Sequence, residues 1–274
     1  MSANNSVQPH ALVTGASSGL GAAFAERLAH DSYDLIIIAR RRDRLESLAE
    51  QLQANHHVNV EVMAADLSKL DDLMSVEKRI AEDNMLELLV NNAGFGGYMP
   101  FVELDLEKAT ELINLKVLAV TRLTRAALPG MIARGRGSII SVSSRLAFSG
   151  SMGSSQLPKR ATYVGANSFI NAFSQLLQSE LEGTGVQVQA LCPGVIETEF
   201  HERVGIDPNR YPAAIVMKPE DVVQASLNGF KLGEVICVPA LEDPDLLTQI
   251  QEDEKRFFEL TRSGKLAKRY GAET

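Results

Sequence analysis

Seven short aliphatic runs alternate with longer segments of helical period along the 274 residues, and this alternation constrains the fold more tightly than any other feature of the chain. The runs are His10–Thr14, Tyr33–Ala39, Val58–Ala64, Glu87–Asn91, Ser138–Ser143, Val186–Cys192 and Val235–Val238. They are nearly continuous in hydrophobicity rather than strictly alternating, as strands covered on both faces must be. Between them Gly19–His30, Arg41–Ala54, Leu70–Asp83, Leu106–Arg134, Ala161–Glu182 and Pro219–Leu232 read as helices. Strand and helix in turn predict an α/β chain, a doubly wound parallel seven-stranded sheet with helices on both faces. A length of 274 suits one such domain. Residues 1–240 are expected to form it, with a loop at about 197–217 over the site. Residues 241–274 are expected to add a helical extension packed on the same domain, since Leu246, Leu247, Ile250, Phe257, Phe258 and Leu260 recur at helical spacing.

Two helical stripes are expected to serve as core or subunit contacts: Leu112, Leu115, Leu118, Leu123 and Ala126, then Phe169, Ile170, Phe173, Leu176, Leu177 and Leu181. Pro129-Gly130 is expected to kink or end the first of these helices. With 45% apolar and 23% charged residues, the chain lies in the ordinary globular range, far from the disordered and membrane classes. Twenty-seven basic against 35 acidic side chains leave a net charge of −8. That balance argues against nucleic acid or an anionic membrane as partner, yet allows a local basic pocket for one phosphate. Cys192 and Cys237 stand in apolar stretches without metal-ligand spacing and read as buried free thiols, so no metal site is expected. The polar start MSANNSVQPH lacks the pattern of a signal peptide and no aliphatic run is long enough to span a bilayer, so a cytoplasmic location is expected.

The sequence Thr14-Gly15-Ala16-Ser17-Ser18-Gly19-Leu20-Gly21 leaves the first strand and opens the first helix. At such a junction Gly15 permits a tight turn, Gly19 lets backbone approach a pyrophosphate, and Gly21 lets helix and strand pack closely, while the helix start offers unpaired N–H groups to an anion. The second strand ends in Ala39-Arg40-Arg41-Arg42. A carboxylate there would accept from the ribose hydroxyls of NAD, whereas a 2′-phosphate needs guanidinium forks. Arg40 and Arg41 therefore favour NADP(H), with Ser17 or Ser18 adding a hydroxyl contact.

From about Ala11 to Val238 the chain resembles the short-chain dehydrogenase/reductase family. The resemblance rests on the Thr14–Gly21 motif, Asp66 in AADLS, Asn91-Asn92-Ala93-Gly94, Asn114, the Ser143-Ser144 strand end, Tyr163, and Pro193-Gly194-Val195-Ile196-Glu197-Thr198. It implies a Rossmann-like single domain, usually assembled as homodimers or homotetramers through the two long central helices. It also implies hydride transfer between a nicotinamide and a small-molecule carbonyl or alcohol. Asp66, with Leu67 beside it, would meet the adenine; Asn92, Ala93 and Gly94 would line the cofactor; Pro193, Gly194, Val195, Ile196 and Thr198 would hold the nicotinamide amide. Tyr163 would be the proton donor, Ser144 the carbonyl-orienting hydroxyl with Ser143 as fallback, and Asn114 would hold a water on the proton relay by distorting its helix.

One motif departs from the family. Its Tyr-x-x-x-Lys is here Tyr163-Val164-Gly165-Ala166-Asn167, so Asn167 stands where an ammonium should meet the ribose and Tyr163. An amide can hydrogen-bond ribose hydroxyls but supplies no charge to favour tyrosinate. The stretch between Ser144 and Tyr163 is also longer than is usual in the family. It ends in Lys159 and Arg160, either of which could swing in to replace the missing charge. The leading expectation is an NADPH-dependent carbonyl reductase or alcohol dehydrogenase acting on a moderately apolar compound, with Phe95, Tyr98, Leu146, Phe148 and Phe200 as candidate walls. The alternatives are an NADP-binding protein with little or no turnover, such as a partner subunit, and a different reaction, such as epimerisation or dehydration, on the same scaffold.

Overall fold

A computed structural model describes residues 8–96, 99–153, 159–199 and 211–271. The seven runs form strands β1 (His10–Thr14), β2 (Asp34–Ala39), β3 (Val60–Ala64), β4 (Leu86–Asn91), β5 (Gly137–Val142), β6 (Val186–Leu191) and, after a two-stranded excursion, β9 (Ile236–Cys237). They pair in parallel in the order β3-β2-β1-β4-β5-β6-β9. Helices α1 (Gly19–His30), α2 (Arg42–His56), α3 (Leu70–Ala81), α4 (Leu106–Ile113), α5 (Val120–Arg134), α6 (Ala161–Glu180) and α7 (Pro219–Leu232) make the crossovers. The expected doubly wound, Rossmann-like sheet is the observed one.

Both sheet faces are buried, and successive strand residues serve different cores. Val13, Ile37 and Ile140 pack with Phe24, Leu28, Leu45 and Val222 from α1, α2 and α7. Leu12, Ile36, Ile38 and Ile139 pack with Leu73, Val76, Leu123 and Leu177 from α3, α5 and α6. Truncating one such leucine to alanine costs about 2–5 kcal/mol. This two-sided burial is the physical reason for the unbroken apolar runs.

Three local features add to or depart from what the sequence implied. Pro129 does not end its helix, which runs on to Arg134 and closes on Gly135 in the left-handed region at φ 67°. Pro129 and Arg125, the residue whose carbonyl loses its N–H partner, are both exposed, so water can take that partner's place. The helical stripe also shifts: a π-helical segment, Asn114–Ala119, joins α4 to α5 and buries Leu115, Lys116 and Ala119, while Leu118 is 39% exposed. A π turn holds one residue more than an α turn, so the inward positions move. Lastly, the loop expected at about 197–217 ends in a short strand, β8 (Val216–Met217), which pairs in parallel with β7 (Val195–Ile196) just ahead of the loop; residues 200–210 lie outside the described residues.

The first compact unit ends at Pro239, and Ala240–Thr274 forms a second, which carries α8 (Asp245–Leu260). Among the described residues no helix is long and apolar enough to cross a membrane, and no group of three potential metal ligands occurs.

A buried carboxylate ties the amino end of β1 to the α3–β4 junction. Asp83 lies 2.8 Å from both His10 Nδ1 and Arg79 Nη1 and accepts from Met85 N–H at 2.8 Å. Burial alone would raise its pKa; His10, the Met85 N–H and Arg79 outweigh this and hold the carboxyl below its ordinary 3.8. Asp83→Ala should lower the unfolding free energy by about 2–4 kcal/mol in urea titrations near neutral pH. Because the folded-state pKa is the lower one, this contribution is complete above about pH 4 and fades as the pH falls through the folded value. The gap between wild type and variant should close in strong acid.

Candidate active site

The order β2-β1-β4 makes the carboxyl ends of β1 and β4 the point where the sheet's winding reverses, the place where open α/β sheets take ligands. Thr14 fastens that point. Its hydroxyl donates to Val90 O at 3.2 Å and accepts from the N–H groups of Asn92 (2.9 Å) and Ala93 (3.0 Å). Asn92 Nδ2 answers by donating to Thr14 O at 3.0 Å. Gly15 turns away at φ 70°, in the left-handed region. Gly21 sits so close that an added Cβ would overlap Gly15 O and lie 2.6 Å from Asn92 Nδ2. The glycines thus bring the start of α1 directly onto the strand ends, where Gly19 and Leu20 line the crevice.

Beside this cradle lies a basic cluster. Arg41 donates to Ser17 Oγ at 2.8 Å and to Ser18 Oγ at 3.1 Å. Glu199 faces both Arg41 Nη1 (3.5 Å) and Arg44 Nη1 (2.7 Å), and Arg40 pairs with Glu111 at 2.9 Å. Three guanidiniums against two carboxylates leave surplus positive charge, despite the acidic chain as a whole. After β3, Asp66 accepts from Ser68 Oγ at 2.7 Å, which fixes its loop.

At the other end β5 delivers Ser143 and Ser144, and the first turn of α6 delivers Tyr163. Ser143 Oγ donates to Asn167 O at 3.0 Å, a structural tie. Ser144 Oγ accepts from Leu146 N–H at 3.2 Å, which leaves its own proton to give. Tyr163 and Ser144 are each 6% exposed. Asn167 is fully buried and its Nδ2 donates to Tyr163 O at 2.7 Å, while its Oδ1 has no hydrogen-bond partner among the described residues. It does not reach the crevice wall. Asn114 opens the π segment and donates from Nδ2 to Ser68 O at 3.2 Å, also off the wall.

One cavity of about 750 Å³ joins the two ends. Its wall includes Gly15, Ser17, Ser18, Gly19, Leu20, Arg40, Arg41, Asp66, Leu67, Asn92, Ala93 and Gly94, then Ser144, Tyr163, Pro193, Gly194, Val195, Ile196 and Thr198. Of the expected residues, Gly21, Asn114 and Asn167 stand behind it. Of the expected apolar walls, Phe95 and Leu146 line it and Phe148 does not; Tyr98 and Phe200 lie outside the described residues. Arg160 lines it as well, buried and donating to Ser149 Oγ at 3.0 Å, whereas Lys159 is exposed.

Sequence reasoning missed several wall residues, among them the apolar Met99, Phe101 and Leu104 and the buried Lys116. Lys116 is 4% exposed, donates from Nζ to Val142 O at 2.8 Å, and has no carboxylate partner among the described residues. Desolvation pushes its ammonium down from 10.5 to about 8, with Cys192 acting weakly in the opposite sense. Its signal was a charge at a stripe position, four residues after Leu112 and three before Ala119.

Comparison with known proteins matches residues 9–209 to the short chain dehydrogenase family. A very-long-chain 3-oxoacyl-CoA reductase of Phaeosphaeria nodorum is 33% identical over 228 residues, 81% of this chain; the chain spans 63% of that relative's length. Among solved structures, a short-chain dehydrogenase from Sphingobium yanoikuyae in complex with NADPH is 35% identical with a TM-score of 0.89, covering 96% of this chain and all of that one. A bulky-bulky ketone specific alcohol dehydrogenase from Comamonas testosteroni is 32% identical with a TM-score of 0.86, covering 96% and 99%.

Burying an ammonium without a counter-charge opposes folding, so Lys116→Met should raise the thermal midpoint by a few degrees at pH 7, about 1–3 kcal/mol. Below about pH 8 folded and unfolded chains both hold the proton and the penalty is constant; between about 8 and 10.5 the folded chain has released it while the unfolded chain keeps it. The wild type therefore gains relative stability over that window, and the melting-temperature gap to the variant should narrow as the pH rises.

Proposed function

The chain belongs to the short-chain dehydrogenase family, and from that premise we propose that it is an NADPH-dependent reductase of bulky, moderately apolar ketones, also able to run in the alcohol-oxidising direction. The observation that carries the reading is that one cavity holds the Arg41–Ser17–Ser18 cluster at one end and Ser144 with Tyr163 at the other.

The residues fit a dinucleotide. The start of α1 would present backbone N–H groups to a pyrophosphate, and an added Cβ at Gly19 would lie 3.0 Å from Thr198, filling the cradle. Arg41, with Ser17 and Ser18, would hold a 2′-phosphate, and Arg40 and Arg44 add to the field there. Asp66 and Leu67 would border the adenine, and Pro193 to Thr198 the nicotinamide amide. The cofactor, when bound, supplies a hydride. This chain's part is to orient the carbonyl and deliver one proton: Ser144 donates a hydrogen bond to the carbonyl oxygen, and the Tyr163 phenol gives that oxygen its proton and is later reprotonated from solvent. Phe95, Met99, Phe101, Leu104 and Leu146 give the mouth an apolar wall suited to a bulky ketone, the class named for the Comamonas testosteroni relative.

Asn167 favours a second reading, a cofactor-binding subunit without turnover, because its amide is spent on the Tyr163 carbonyl and brings no charge to the phenol. Self-association would suit either reading, since Leu176 is 68% exposed on α6 and Leu118 stands out beside α5.

Fluorescence titration should give tighter binding of NADPH than NADH, with Arg41→Ala losing about 10–100-fold in NADPH affinity and little for NADH. Equal affinities would remove the 2′-phosphate assignment. On a panel of bulky ketones, Tyr163→Phe should cut kcat/KM by about 10²–10⁴. NADPH binding with no turnover on any ketone would select the second reading.

A further inference from the structure

A phenol with its ordinary pKa near 10 is a sluggish proton carrier at neutral pH unless a positive charge stabilises its anion. Position 167, one turn along α6 from Tyr163, brings none. Lys116 arrives from the opposite helix. The π segment turns it inward, its stem passes so near Gly94 that an added Cβ there would overlap Cε, and its ammonium donates to the last carbonyl of β5, two residues before Ser144. It shares the cavity wall with Gly94, Ser144 and Tyr163. Burial of a lysine without a carboxylate is rare and unfavourable, and an uncharged side chain would fill the same space.

We propose that Lys116 is the cation of this active site, holding down the pKa of the Tyr163 phenol and presenting its ammonium to the ribose hydroxyls of the bound cofactor, in place of a charge at position 167. The proposal rests on the reading of Tyr163 as the proton donor. The group that acts electrostatically on the ammonium is Cys192. From the end of β6 comes Cys192, a thiol that burial pushes up to about 12 and so keeps neutral; from the rest of the wall come Tyr163 itself, Tyr211, the cations of Arg40, Arg41, Lys108, Arg145 and Arg160, and the carboxylates of Asp66 and Glu111. At pH 7 an ammonium of pKa about 8 is still roughly nine-tenths protonated. Arg160 is the rival cation and is directed to Ser149.

The test uses the full chain with and without NADPH. In the cofactor-free protein, the Tyr163 phenol is titrated by NMR with isotope-labelled tyrosine, its signal assigned by Tyr163→Phe. Lys116→Met should raise the phenol pKa by about 1 or more, weaken NADPH by about tenfold, and move the acid–base limb of the ketone-reduction profile in the same direction. Adding Asn167→Lys to Lys116→Met should return the phenol and the NADPH affinity most of the way to wild type. Lys116→Gln serves as the second variant should the methionine fail to fold. A phenol titration and an NADPH affinity unchanged in both Lys116 variants would overturn the proposal, as would a phenol that responds to Arg160→Gln instead. Absence of ketone turnover in the wild type would count against the reductase reading alone, because the phenol titration and cofactor affinity remain readable.

Discussion

The hydroxyl of Thr14 makes three hydrogen bonds across the gap between β1 and β4, to Val90 O and from the backbone of Asn92 and Ala93. At this gap the crossovers turn to opposite sides of the sheet, so helices cannot cover it and polar backbone is left open. A side chain that both donates and accepts satisfies that backbone and fixes the spacing of the two strand ends. Every other part of the crevice is measured from there. Gly15 and Gly21 set how near α1 comes, Asn92 and Gly94 form the floor, and β5 beside β4 brings Ser144 into line with it.

The two ends of the crevice handle charge in opposite ways. At the outer end the guanidiniums of Arg40, Arg41 and Arg44 are partly solvated and share Glu111 and Glu199, so their cost in the free protein is small and salt screens it. At the inner end Lys116 has, among the described residues, a carbonyl but no carboxylate, and its unfavourable burial is borne by the two large cores on either side of the sheet. Local instability of this kind is tolerated where a fold has stability to spare and chemistry needs a dry charge.

Much of this was legible in the chain. The unbroken apolar runs such as Leu35 to Ala39 forced two-sided burial and hence the parallel sheet, and the glycines at 15, 19 and 21 marked the cradle because only a close backbone approach needs all three. Arg41 could be assigned to an anion because its charge opposes the dipole of the helix it precedes. What stayed hidden depended on geometry that no local pattern encodes. Lys116 lies in the π turn after Ile113, buried with Leu115 and Ala119 while Leu118 is exposed, and only the tertiary packing shows that a charge on that face is kept inside. Asn167 looked like a ligand-facing residue from its spacing to Tyr163, yet its short amide finds the Tyr163 carbonyl within its own helix before it can reach the crevice. Glu199 meets Arg41 and Arg44 across more than 150 positions, a contact of tertiary origin.

The small parallel pair of β7 with β8 has a practical corollary. Glu197 N–H donates to Met217 O at 3.0 Å, so these two points, twenty positions apart in the chain, are held side by side in a pair separate from the seven-stranded sheet. Such a staple couples β8 to the rim of the crevice: it fixes where Thr198 joins the cavity wall and where Glu199 meets Arg41 and Arg44, so an alteration at Val216 or Met217 would be transmitted to the guanidinium cluster.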